Sequence, residues 1–317
     1  MICTTSISIE KRRPYTHQHK HLGPEGNEPK LSGRKIFWVT VLNATITAAE
    51  VVGGLLSGSL ALLSDAVHNL SDTIAVAMSY AAWRISQKPR DTKRTFGYKR
   101  AEILSAFINS AILLAVLSIL LFEAVRRIRQ PETIDSTMMI IVAVIGLIAN
   151  LASVLLLEKD AKSSLNIKAS YLHLISDTVS SVGVVIGGIL IKALGITWID
   201  PVITILISLW ILRETWHVMK KAVAILMQSA ASLDYEAIRK DIEGINHVRN
   251  VHHVHTWMSN ENTVYFEAHI EMDDIRLCEA SEIYEEIEHM LKERYGISHV
   301  TLQAESDVCT DKALFKC

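Results

Sequence analysis

Asp65-Ala66-Val67-His68-Asn69-Leu70-Ser71-Asp72 lies inside one long apolar run, and His173-Leu174-Ile175-Ser176-Asp177 lies inside another. Both carry His-x-x-x-Asp, the second copy 105 residues after the first. On a helix this spacing puts both polar groups on one face, one turn apart. Ionisable side chains in a bilayer are expensive, about 2.5 kcal/mol or more for an aspartate, and they mark functional positions. Two such faces meeting offer two imidazoles and two carboxylates, a tetrahedral N/O set of the kind that Zn²⁺ accepts.

Working outward, apolar runs long enough to span a bilayer fall at about 36–57, 60–83, 102–125, 137–157, 169–191 and 198–218. Half of the 317 residues are hydrophobic, and the net charge of −2 hides two unlike regions. From 228 onward there are 18 acids and 8 bases, a net of −10, whereas the preceding residues carry +8. The bases gather in the N-terminal segment (Lys11, Arg12, Arg13, Lys20, Lys30, Arg34, Lys35) and after the second run (Arg84, Lys88, Arg90, Lys93, Arg94, Lys99, Arg100). A third group, Lys159, Lys162 and Lys168, follows the fourth run. By the positive-inside tendency these segments face the cytoplasm, which puts both termini inside. Arg126, Arg127 and Arg129 run against this assignment, in a connection expected outside. No cleavable signal is expected in Met1–Pro14. Cys3, Cys278, Cys309 and Cys317 would all be cytosolic and reduced. A plasma or inner membrane suits this chain better than a vesicle membrane, and no nucleic-acid partner is expected.

Three regions follow: a tail at 1–33, a membrane domain of six transmembrane helices at 34–221, and a cytoplasmic C-terminal domain at 222–317. The tail is polar and carries the short tract His17, His19 and His21, a possible weak metal site. In the first run Glu50 reads as a structural or interfacial group, and Gly53-Gly54 allows close helix approach. Asp65 shares the stripe of His68 and Asp72 nearer the outer end and reads as a secondary acceptor. Asn109 and Asn150 read as interhelical contacts. In the C-terminal domain a helix is expected over Leu233–Glu243 and strands over Val248–Met258 and Val264–Met272. A second helix over Cys278–Tyr295 and a strand over Ile297–Gln303 complete it. The order αββαβ predicts a small α+β sheet domain, ferredoxin-like or metallochaperone-like.

The ligand chemistry narrows the cargo. Two imidazoles favour Zn²⁺, with Cd²⁺ and Co²⁺ next, over ions that prefer all-oxygen sites. No cysteine falls in the six runs, which argues against a Cu⁺ pathway. Two carboxylates balance a divalent ion, and without it they favour taking up protons, so one cage serves exchange. A passive divalent-metal channel would use the same helices. A metal-dependent membrane enzyme would need an activating base, and His-Glu-x-x-His is absent. In the C-terminal domain, strict alternation predicts His253 and His255 on one strand face and His252 on the other. His269 lies beside Glu267 and Glu271 on the next strand, and His299 and Glu305 flank the third.

With these residues in view, the chain resembles the cation diffusion facilitators, in the zinc-transporter branch. The matching stretches are Glu50–Gly54, Ser59–Asp72, Thr95–Glu102, His173–Asp177 and Val251–Trp257. The resemblance implies a homodimer in membrane lipid with six spans per protomer, exporting Zn²⁺ from the cytoplasm in exchange for H⁺. It implies a transport site of His68, Asp72, His173 and Asp177, and cytoplasmic zinc binding at His252, His269, His299 and Glu305. Manganese- or iron-preferring relatives often carry Asp-x-x-x-Asp in the second span, so His68 points to zinc. Some relatives bind metal in the loop after that span; Arg90–Lys99 holds no histidine, and no site is expected there. In some relatives N-terminal ligands reach the partner's cytoplasmic domain.

Overall fold

The computed structural model describes residues 33–161, 165–306 and 313–315. The tract His17, His19 and His21, and also Cys309 and Cys317, lie outside the described residues. Six long helices come first: α1 Gly33–Ser57, α2 Leu60–Ser86, α3 Arg100–Arg129, α4 Ser136–Ala161, α5 Leu165–Leu194 and α6 Ile199–Leu226. Of these, α3–α6 each contain a stretch long and apolar enough to cross a membrane. In α2 the polar positions Asp65, His68, Asn69, Ser71 and Asp72 dilute the hydropathy, because they face neighbouring helices rather than lipid. Helix α6 continues five residues past the expected domain boundary at 221.

Helix α2 lies at the hub of the bundle, and its polar side chains reach four neighbours. Ser64 meets Ser208 of α6 at 3.0 Å, and Asp65 accepts from Ser180 and Ser181 of α5 at 2.6 and 3.1 Å. Asn69 donates to Glu50 of α1 at 3.0 Å, and Ser71 bonds to Asn109 of α3. Asn150 of α4 donates to Ser181. Both asparagines thus join helices, as expected. The interfacial option for Glu50 does not hold: the residue is 1% exposed. Its carboxylate lies where a side chain at Gly146 of α4 would otherwise sit. Gly53 and Gly54 allow the close approaches that their pairing suggested, to Val142 of α4 and Leu63 of α2.

The ends of the bundle away from the C-terminal domain are tied by Asp200 at the start of α6. Its carboxylate accepts from the Ser59 hydroxyl and from the backbone N–H groups of Leu60 and Ala61, so it caps α2 from another helix. The turn before α2 relies on Gly58, whose φ of 70° favours glycine. The arginines that opposed the topology are largely neutralised: Arg126 and Arg127 pair with Glu123 and Glu132 at 2.6–3.1 Å.

The remaining elements are α7 Tyr235–Glu243, β1 Val248–Asn260, β2 Thr263–Met272, α8 Leu277–Tyr295 and β3 His299–Glu305. The sheet order is β1-β2-β3, with β1/β2 antiparallel and β2/β3 parallel through the α8 crossover. Asp234 caps α7 by accepting from Ala237 N–H, which starts that helix two residues later than expected. Strand β3 also starts two residues later, because Ile297 is buried and its N–H closes the end of α8 on Leu291 O. The core joins Ile238 and Ile242 of α7 to Phe266, Ala268 and Ile270 of β2 and to Ile283, Ile287 and Leu291 of α8.

The β1–β2 hairpin tip rests on the other end of the bundle. Met258 packs against the cluster of Ile103, Ala222 and Ile225. Glu102 of α3 accepts from Ser86 at the end of α2 and from Asn260 of the hairpin, at 2.6 and 3.2 Å. Lys99 donates to Thr263, and Phe96 meets Tyr265 edge to face.

Candidate metal transport site

Helices α2 and α5 bring the four expected transport residues together. Their ligand-type atoms all lie within 4.8 Å of one another. Nε2 of His68 stands 3.5 Å from an Asp177 oxygen and 3.7 Å from Asp72 Oδ2. Nε2 of His173 stands 3.0 Å from Asp72 Oδ2 and 3.8 Å from the other Asp177 oxygen. Each imidazole therefore faces one oxygen from each carboxylate. A tetrahedral ion with bonds of about 2.0–2.1 Å has ligand-to-ligand edges of roughly 3.3 Å. The four N–O edges bracket that value, and the donors are those that zinc-like ions take.

The bundle fixes this face from several directions. One turn outward, Ser180 and Ser181 bind Asp65 and hold α5 against α2. Asp65 is consumed by those hydroxyls and stays outside the four-ligand group, in keeping with its reading as a secondary acceptor. Exposure is uneven. Asp177 is buried, with its side chain 5% exposed, whereas the His173 side chain is 46% exposed. One side of the cage is thus sealed by protein, and the other opens.

A second group forms on the three-stranded sheet from His252, His269 and Glu305. His252 Nε2 is 3.2 Å from Glu305, and His269 Nδ1 is 2.7 Å from its other oxygen. Strict alternation fails here. His252 pairs with His269, and three residues later His255 pairs with Glu267, so one extra residue bulges out of β1. His253 takes a φ of 51°, and its ring stacks on His269 at 4.6 Å and meets His255 at 4.7 Å. His252 therefore shares a face with His269 instead of opposing the other histidines. His299 does not join the group. It pairs with Tyr265 at the far end of β3, six residues from Glu305, or about 20 Å along a strand.

Asn250 is a residue that the sequence did not single out. It meets His252 Nδ1 at 3.1 Å and donates to Glu243, so it turns Nε2 of His252 toward Glu305. The sequence signal was faint: a polar residue two positions before the histidine, on the same strand face. Asp200 is a second residue that the sequence did not single out. Its partners lie about 140 positions away, and no local pattern points to them.

A metal cage between two helices of an apolar bundle, with a small sheet domain behind it, defines a class of membrane transporter for metal ions. The family model of the cation efflux transmembrane domain matches residues 36–227, and that of the cation efflux protein cytoplasmic domain matches 230–307. The chain belongs to this family, the cation diffusion facilitators, which are integral membrane exporters of divalent cations. It is 40% identical to the metal cation efflux system protein CzcD of Cupriavidus metallidurans over 92% of this chain and 90% of the relative. It is 38% identical to zinc transporter ZitB of Escherichia coli over 93% of each. A cadmium, cobalt and zinc/H(+)-K(+) antiporter of Bacillus subtilis is 36% identical over 89% of this chain and 92% of the relative.

Proposed function

We propose that this exporter carries Zn²⁺, with Cd²⁺ and Co²⁺ as secondary cargo, out of the cytoplasm in exchange for protons. The observation that carries the proposal is the closed ring of two Nε2 atoms and two carboxylates between α2 and α5. Asp72 and Asp177 balance the charge of a divalent ion, and after its departure they and the imidazoles are the groups that accept protons. His68 and His173 supply the nitrogens that make the set zinc-like rather than all-oxygen. The zinc transporter and the zinc/H(+)-K(+) antiporter among its relatives support this cargo and coupling.

In this reading all six helices span the membrane, both termini are cytoplasmic, and two copies form a homodimer. Alternating access follows as α2 and α5 tilt and the open side of the cage turns from one face of the membrane to the other. The cytoplasmic group of His252, His269 and Glu305 would hold a resident zinc ion. Its donors fit: two imidazoles and one carboxylate, with Asn250 orienting one ring. By holding an ion there, these residues would favour one arrangement of the domain and so bias the transport equilibrium.

The test is zinc uptake into proteoliposomes with and without an imposed pH gradient. Antiport requires uptake to rise with the gradient and uptake of zinc to move protons the other way. Equal flux after the gradient is collapsed, at equal zinc, would overturn it in favour of a passive channel.

A further inference from the structure

The loop between α2 and α3 holds five bases, with Arg84 and Arg100 on the flanking helix ends, and the transport reading uses them only for topology. We infer that this loop is a docking surface for the headgroups of anionic phospholipids at the inner face of the membrane. The inference rests on α2 and α6 spanning the bilayer, as proposed above. Asp200 holds the starts of α2 and α6 at one level. With a rise of about 1.5 Å per residue and a hydrocarbon core of about 30 Å, twenty residues carry each helix to the opposite interface, at Tyr80 and Lys220. The side chains at that depth suit an interface: Tyr80 and Trp83 are stacked and exposed on α2, and Lys220 lies over the Trp216 ring on α6. Arg84, Lys88, Arg90, Lys93 and Arg94 follow directly, all exposed.

The loop is built rather than loose. Asp91 is the single acid among residues 84–100. Its carboxylate accepts from the Lys93 and Arg94 N–H groups and from the Tyr98 hydroxyl, at 2.6–2.8 Å. Those bonds hold its pKa below the ordinary value, with the Tyr98 hydroxyl first among the causes. The Arg94 guanidinium lies 4.7 Å over the Tyr98 ring, and Gly97 turns the chain with a φ of 81°. Asp91 is thus committed to the loop's own frame. Although the C-terminal domain is strongly acidic, among the described residues no carboxylate of that domain pairs with a base of this loop. A set of cations whose one acid neighbour in the loop, Asp91, is committed to the loop's own frame, at headgroup depth and ringed by aromatics, fits lipid phosphate.

Native mass spectrometry of the detergent-solubilised full chain, titrated with phosphatidylglycerol and with phosphatidylcholine, tests the inference. Each base near a lipid surface contributes roughly a factor of five to anionic lipid binding. The Lys88→Gln/Arg90→Gln/Lys93→Gln variant is therefore expected to bind phosphatidylglycerol about 100-fold more weakly. Its zinc binding should stay at the parent level, since these side chains touch neither metal group. Equal retention of the two lipids by the parent would mean that the bases attract mobile counter-ions only. That result, or undiminished phosphatidylglycerol binding by a variant that still binds zinc, would overturn the inference. Neither result bears on antiport, which the gradient assay decides separately.

Discussion

Removing one carboxylate from the transport cage should not be equivalent at its two positions. Asp177 has a side chain 5% exposed and stands within 3.5–3.8 Å of both imidazoles. Asp72 makes closer contact with His173, at 3.0 Å, but its side chain is 31% exposed. Deleting one partner of a buried charge pair costs about 3–5 kcal/mol, whereas water screens an exposed partner to about 1 kcal/mol. At about 1.4 kcal/mol per decade, Asp177→Asn weakens Zn²⁺ binding by about two to three and a half decades. Asp72→Asn, between the two limits, weakens it by about one to two decades. The measurement is isothermal titration of purified protein with Zn²⁺, in a His252→Ala/His269→Ala background that silences the cytoplasmic group. Parent-like affinity in Asp177→Asn would remove that residue from the site. A larger loss in Asp72→Asn than in Asp177→Asn would refute the reasoning from burial.

Three further outcomes are expected. Gly146→Ala forces its Cβ onto the Glu50 carboxylate, and overpacking of this kind destabilises by about 1–3 kcal/mol. Its melting temperature in detergent should fall, and adding Glu50→Ala should recover part of the loss; additive losses would contradict the notch. Asn250→Ala frees the His252 ring and should weaken zinc binding at the cytoplasmic group about 10–100-fold, as read by competition with a chelating dye, while proteoliposome transport persists. Asp241 is held below the usual carboxylate value of 3.8 by the Tyr295 hydroxyl and by Arg294. Its contribution to stability is therefore present above pH 3.8 and is lost as pH falls through the lowered folded value. Hydrogen exchange at the contact between α7 and the end of α8 should differ between parent and Asp241→Asn at neutral pH and converge in acid.

Much of the site was legible because it is local. His-x-x-x-Asp states its own geometry, since the helical period alone places both ligands on one face, and intramembrane charge is too costly to be incidental. The six apolar runs and the αββαβ order were legible for the same reason: hydropathy and turn residues act over a few positions. What escaped depends on long-range contacts or on broken periods. The bulge at His253 inverts the side-chain alternation of β1, and nothing in Val251–Trp257 announces the extra residue. His299 looked as eligible as Glu305 until the parallel register with β2 put them at opposite ends of β3. Glu50 looked free to reach the interface because the space that receives it belongs to Gly146, on another helix.

The cap that Asp200 places on α2 determines how this machine can move. With its N-terminal N–H groups held from α6, α2 in the exchange proposed above swings about that end instead of sliding along α6. At about 1.5 Å per residue, His68 lies roughly 12 Å from that pivot and Ser86 roughly 40 Å. A swing of about 10° thus moves His68 by about 2 Å and the inner tip by about 7 Å. Metal–ligand distances tolerate only about 0.2 Å. A rotation too small to unpack the outer end is enough to unmake the cage, and the same rotation is magnified more than threefold where Ser86 and Glu102 meet the cytoplasmic hairpin.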